Sequence, residues 1–187
     1  MPSTARVPGV SLLLFAFLFV AYPAYAVPPE ENPAVPAILD RAESLFQLMK
    51  SRDYPAIFAV LSAKSRETIV AETSSALAAA AKQASPGKPT AADAPHATPK
   101  APPPGPETVR SDFVAGGPIA RDYWSAFLSR FDPDVALEHS RWEIGSVGKD
   151  RAEILLTHEG AEHPAVLKMF LEPGGWRVGL VETFWSR

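Results

Sequence analysis

Beyond residue 35 the apolar residues recur at Ile38, Leu39, Ala42, Leu45, Phe46 and Met49. This three- and four-residue spacing puts them on one helical face, and Asp40, Arg41, Glu43 and Lys50 fall on the other. Asp53 then precedes Tyr54-Pro55, an N-cap with a proline in the first turn, and Ile57, Phe58, Val60 and Leu61 follow as a second helical face. Ser65, Thr68 and Ile69-Val70 predict a restart through the alanine-rich stretch to about Lys82. A further helix opens at Gly116-Gly117-Pro118 and carries Ile119, Tyr123, Trp124, Phe127, Leu128 and Phe131, until Asp132-Pro133 stops it.

After Pro133 the period changes to two. Residues 141–147, 151–158, 163–172 and 176–185 alternate and are separated by Gly148-Lys149-Asp150, by residues 159–162 and by Pro173-Gly174-Gly175, which predicts a four-stranded antiparallel meander. Charge and apolarity agree on a register with Glu153 opposite Lys168, Glu172 opposite Arg177, Ile154 on Leu167, Leu171 on Val178 and Met169 on Leu180. One face is then Trp142, Ile144, Ile154, Leu156, Leu167, Met169, Leu171, Trp176, Val178, Leu180 and Phe184, a core face that helices must cover. The other face mixes charges with Val147, Leu155, Val166, Phe170, Val181 and Trp185, with Phe170 lying over Gly179. It reads either as a homodimer interface through Leu155, Val166, Phe170, Val181 and Trp185 or as a solvated face with scattered apolar residues.

Two segments stand outside this pattern. Residues 1–26 begin with one charge, Arg6, continue as an uncharged apolar run to Pro23 and end in Ala24-Tyr25-Ala26, which reads as a secretory signal peptide cleaved before Val27. The alternative is an uncleaved N-terminal signal anchor, for which the apolar run is short. Residues 84–107 contain eight prolines and six alanines and no large apolar side chain, the composition of a disordered, partly polyproline-II spacer or a tolerated surface insertion. The domain reading is therefore a signal peptide at 1–26, a flexible N-terminus at 27–34, a helical part at 35–82, a Pro/Ala-rich linker at 83–110, and at 111–187 the helix and sheet that complete the same domain. Neither ordered part closes a core alone, so the fold class is α+β, with three to four helices packed on one face of a curved four-stranded antiparallel meander.

The absence of cysteine excludes a disulfide scaffold, a thiolate metal site and a cysteine nucleophile, and the net charge of −3 gives no electrostatic footprint for nucleic acid. With an export signal and no second apolar run, the composition points to a periplasmic or secreted bacterial protein that meets the membrane only during export.

The order of two helices joined by Leu48-Met49-Lys50-Ser51-Arg52-Asp53-Tyr54, then Val60-Leu61-Ser62, a third helix and a meander ending in Gly174-Gly175-Trp176-Arg177-Val178 resembles the nuclear transport factor 2-like, or cystatin-like, superfamily, in particular its small exported bacterial members. The resemblance covers about 35–82 and 111–187. It implies a cone, a curved sheet wrapped on helices with a cavity open at one end. The fold hosts isomerases, dehydratases, non-catalytic ligand binders and dimerising subunits alike, so it leaves function open.

For chemistry, Glu182 is the one charge in phase with the core face of the last segment, where it would act as an acid/base at a cavity or anchor a ligand's cation, unless a bulge turns it to water. Phe46, Tyr54, Phe58, Tyr123, Trp124 and Met169 are the candidate cavity lining for a small apolar ligand, and equally the expected packing of a core. His158 and His163 flank a Gly-containing loop at an interval that does not match a helical metalloprotease motif, which leaves them as weak metal candidates and implies no cofactor. The chain is thus expected to be a non-catalytic exported domain binding a small apolar ligand or a protein partner. The alternatives are an isomerase- or dehydratase-like enzyme using Glu182 and an envelope-assembly subunit whose spacer reaches a partner.

Overall fold

A computed structural model describes residues 32–83 and 102–185. The signal peptide and most of the spacer expected from sequence lie outside the described residues.

Helix starts and stops follow local chemistry. Helix α1 (Val35–Ser51) ends where Arg52 takes a left-handed φ of 55° and Asp53 N–H donates back to Leu48 O at 3.0 Å. The Asp53 side chain accepts from Ala56 N–H at 3.1 Å and so caps α2 (Tyr54–Val60). Leu61 is then extended and bridges Val178 in parallel. Ser62 caps α3 (Ala63–Gln83), its hydroxyl accepting from Ser65 N–H at 3.0 Å.

Helix α4 (Pro106–Ala115) starts at the end of the stretch read as spacer. Its two buried positions, Val109 and Phe113, give too short an apolar run to register as periodic. Gly116 closes α4 at φ 66° against the Pro55 ring, and Asp112 reaches forward to accept from Ala120 N–H at 2.8 Å, tying α4 to α5 (Pro118–Leu128). Asp132-Pro133, expected only to stop a helix, also starts one: Asp132 caps α6 (Pro133–Glu138) by accepting from Asp134 N–H at 3.0 Å.

Strands β1 (Ser140–Val147), β2 (Arg151–His158), β3 (Ala165–Glu172) and β4 (Gly175–Gly179) form an open antiparallel sheet in the order β1-β2-β3-β4. The β2–β3 register is the expected one, with Glu153 opposite Lys168 and Ile154 opposite Leu167. The β3–β4 register differs. Glu172 faces Gly175, Leu171 faces Trp176 and Met169 faces Val178, because the turn holds only Pro173 and Gly174, with Gly174 and Gly175 at φ 96° and 111°. Phe170 does cover Gly179, where a Cβ would overlap its ring.

The last segment departs furthest from expectation. The strand stops at Gly179, and Leu180–Phe184 form a short helix, α7. Against an expected three to four helices, the described residues form seven. Lys168 N–H, which a longer β4 would have paired, instead donates to Thr183 Oγ1 at 2.9 Å, and Thr183 Oγ1 donates to Gly179 O at 2.6 Å.

The core lies between the sheet and α1, with Ile38, Leu45, Phe46 and Met49 fully or almost fully buried and Ile154, Leu167, Met169 and Val178 beneath them. Phe46 packs edge-on to Trp142 at 5.6 Å and stacks near Phe131 at 5.9 Å. Lys50 bridges α1 to α6, with Asp134 at 2.7 Å and Glu138 at 2.8 Å, and these two carboxylates hold its ammonium well above the usual lysine range. Truncation of Phe46 would leave a void among Trp142, Phe131 and the sheet. Phe46→Ala should cost about 3–5 kcal/mol, read as a lower denaturation midpoint at unchanged slope.

Candidate functional site

Glu182 belongs to α7, not to a strand, and this placement decides its surroundings. The residue is 8% exposed, and its carboxylate accepts from Ser62 Oγ at 2.9 Å on one oxygen and from Ser65 Oγ at 2.6 Å on the other. Ser65 Oγ also accepts from Val181 N–H at 3.0 Å. Both serines are buried, so three residues from α3 and α7 and the turn between α2 and α3 form one satisfied polar cluster inside an apolar core. Sequence reasoning singled out Glu182 and missed its two partners. Ser62 entered the reading only through the Val60-Leu61-Ser62 motif of the resemblance, and Ser65 only as part of a helix restart.

The side of Glu182 that reaches the surface opens into a cleft of about 390 Å³, bordered by Lys64 at the start of α3 and by Arg151, Glu153, Lys168 and Phe170 of β2 and β3. Met169, an expected cavity residue, lies fully buried beneath it. Arg151 sits over the Phe170 ring at 6.0 Å.

The other expected site residues do not meet at Glu182. Phe46, Phe58 and Trp124 are packed in the core, Phe58 against Phe113 at 5.1 Å and Trp124 edge-on to Tyr123 at 5.1 Å. Tyr54 lies on the α2–α5 surface with its hydroxyl 3.4 Å from Ser125 Oγ. Tyr123 is different, because it borders two adjoining hollows. One, of about 480 Å³, runs between Thr73, Leu77 and Ala80 of α3 and Ile119 of α5, with Glu72 and Asp122 at its rim. The other, of about 400 Å³, is framed by Phe127, Phe131, Phe184 and Trp185. The Tyr123 hydroxyl is buried and has no hydrogen-bond partner among the described residues. Burial first, and then the nearby Glu72 charge, push its pKa well above the usual tyrosine range.

Of the five residues expected to form a homodimer interface on the outer sheet face, Leu155, Val166 and Phe170 remain there, half-buried. Val181 and Trp185 leave it because α7 turns away: Val181 packs into the core and Trp185 joins Phe184 beside Tyr123. His158 Nδ1 lies 3.0 Å from His139 O, and His163 sits in an exposed turn. Among the described residues no group of three or more His, Asp or Glu could hold a metal ion, and no helix is long and apolar enough to cross a membrane.

Among the described residues these features define an α+β domain with an open four-stranded antiparallel sheet, a buried carboxylate cluster at Glu182 and an apolar trough beside Tyr123. No family model matches the chain, and neither a curated protein nor a solved structure matches it.

Removal of the Ser65 hydroxyl strips a donor from Glu182 and an acceptor from Val181 N–H at once. Ser65→Ala should therefore destabilise the fold by about 1–3 kcal/mol in chemical denaturation, more than Ser44→Ala on the α1 surface does. For Tyr123 the folded pKa is raised, so its contribution to stability is intact below the unfolded value of about 10 and is lost as pH rises above it, where only the unfolded phenol ionises. Tyr123→Phe should be neutral or stabilising at pH 7 and should reduce the loss of stability between about pH 10 and 11, measured by denaturant titration at each pH.

Proposed function

We propose that the protein is an exported, non-catalytic binding domain that takes a small apolar ligand with one polar end in the trough lined by α3, α5 and α7. The carrying observation is Tyr123, whose partnerless buried hydroxyl lies between two adjoining apolar hollows of about 480 and 400 Å³. An unpaired polar atom in such a place is costly to the folded chain, and a ligand's hydroxyl or carbonyl would relieve that cost while its apolar body covers Leu77, Ile119 and Phe127. Phe184 and Trp185, 40% and 38% exposed, extend the same apolar surface. Export rests on the signal peptide read at 1–26, and the cone-like architecture of the nuclear transport factor 2-like superfamily rests on the sequence resemblance together with helices packed on one face of an antiparallel sheet.

The second reading, an isomerase- or dehydratase-like enzyme, is supported by the position of Glu182 at the edge of an open cleft. It is weakened by the engagement of both carboxylate oxygens with serine hydroxyls, which makes Glu182 a structural acceptor before it is a base.

Binding is tested with Nile red as the fluorescent probe and decanol as competitor. Saturable fluorescence enhancement, displaced by decanol, is expected. Leu77→Asp, which puts a charge into the trough, should weaken decanol at least tenfold, and Tyr123→Phe, which removes one hydrogen bond, about 3- to 10-fold. Absence of saturable, decanol-sensitive fluorescence in the unaltered protein rejects the reading.

A further inference from the structure

A second surface, independent of the trough, is built for a different chemistry. The cleft at the start of α3 collects three cations, Lys64, Arg151 and Lys168, against two carboxylates, Glu153 and Glu182. Among the described residues the ion pairs are Lys50 with Asp134 and Glu138, Arg66 with Glu172 and Arg141 with Glu143, and all lie outside the cleft. None of the three cations is in an ion pair among the described residues, although Glu153 is the direct cross-strand neighbour of Lys168. Both carboxylates are already engaged, Glu153 by Ser146 Oγ at 3.2 Å and Glu182 by Ser62 and Ser65. The cations therefore keep their charge and donors directed at a hollow of about 390 Å³, the size of a small-molecule site, in a chain whose net charge is −3.

We propose that this cleft binds a small organic oxyanion, a phosphate ester or a polycarboxylate, held by Arg151, Lys168 and Lys64. Arg151 supplies a planar fork suited to two oxygens of one anionic group, and its guanidinium carbon lies over the Phe170 ring at 6.0 Å. Lys168 and Lys64 approach as point charges from β3 and α3. Glu182, fixed from behind by its serines, presents its remaining lone pairs to a hydroxyl on the ligand's body, so a hydroxylated anion is preferred to bare phosphate.

The test is isothermal titration calorimetry of the full chain in low-salt buffer with glucose 6-phosphate, citrate and inorganic phosphate. Saturable binding of glucose 6-phosphate or citrate is expected, tighter than that of inorganic phosphate and weakening as salt is raised. Arg151→Gln and Lys168→Gln should each weaken it about tenfold or more at an unchanged melting temperature, whereas Lys82→Gln at the far end of α3 should leave it within twofold. A preference for glucose 6-phosphate assigns the anion as a phosphate ester, and a preference for citrate assigns it as a polycarboxylate. The proposal is overturned if none of the three anions binds saturably, if inorganic phosphate binds as tightly as the organic anions, or if Lys82→Gln weakens binding as much as Lys168→Gln.

Discussion

Glu182 enters the interior as a carboxylate, and a buried carboxylate without partners would cost more than the few kcal/mol that separate a folded chain from an unfolded one. Its acceptance of two serine hydroxyls turns that liability into a joint. Ser62 caps α3 and Ser65 receives the Val181 N–H, so one cluster fixes where α3 begins, where β4 ends and how α7 is set against α3. The same corner holds the parallel bridge from Leu61 to Val178, the donation of Ser62 N–H to Val178 O at 2.8 Å and the donation of Ala63 N–H to Glu172 Oε1 at 2.7 Å. The exposed edge of β4 is thereby covered by the chain's own α2–α3 connection.

The departure of α7 from the sheet has consequences for both candidate surfaces. A β4 continued to Trp185 would have kept Val181 and Trp185 on the same outer face as Phe170 and enlarged the apolar patch there. Because the chain turns helical, Val181 is buried, and Phe184 and Trp185 are delivered to the aromatic side, where Phe131 meets Phe184 at 5.8 Å. The outer face is left with a charged border around Phe170, and the apolar surface gathers around Tyr123 instead. One local choice of backbone thus separates a polar cleft from an apolar trough.

Much of the fold was legible in the chain. The 3.6-residue spacing in α1 and α5, the Asp53 cap, the exact span of β2 and the β2–β3 register all follow from local rules, because each is specified by residues within a few positions or by a short hairpin. Elements with few apolar positions were not legible. Helix α4 buries only Val109 and Phe113, and α6 only Ala136, too few to reveal a period. The β3–β4 register was shifted because two glycines with positive φ allow a tighter turn than their sequence context specifies.

Residue identity alone determined that a lone carboxylate, Glu182, falls among apolar neighbours and that the cysteine-free domain depends on a helix-on-sheet core. It could not determine the conformation of residues 180–184, whose alternating pattern satisfies a strand as readily as a helix. Tertiary structure decided that question, because the two hydroxyls that accommodate the Glu182 charge lie more than 115 positions earlier in the chain, at Ser62 and Ser65, and only folding brings them within 3 Å of it.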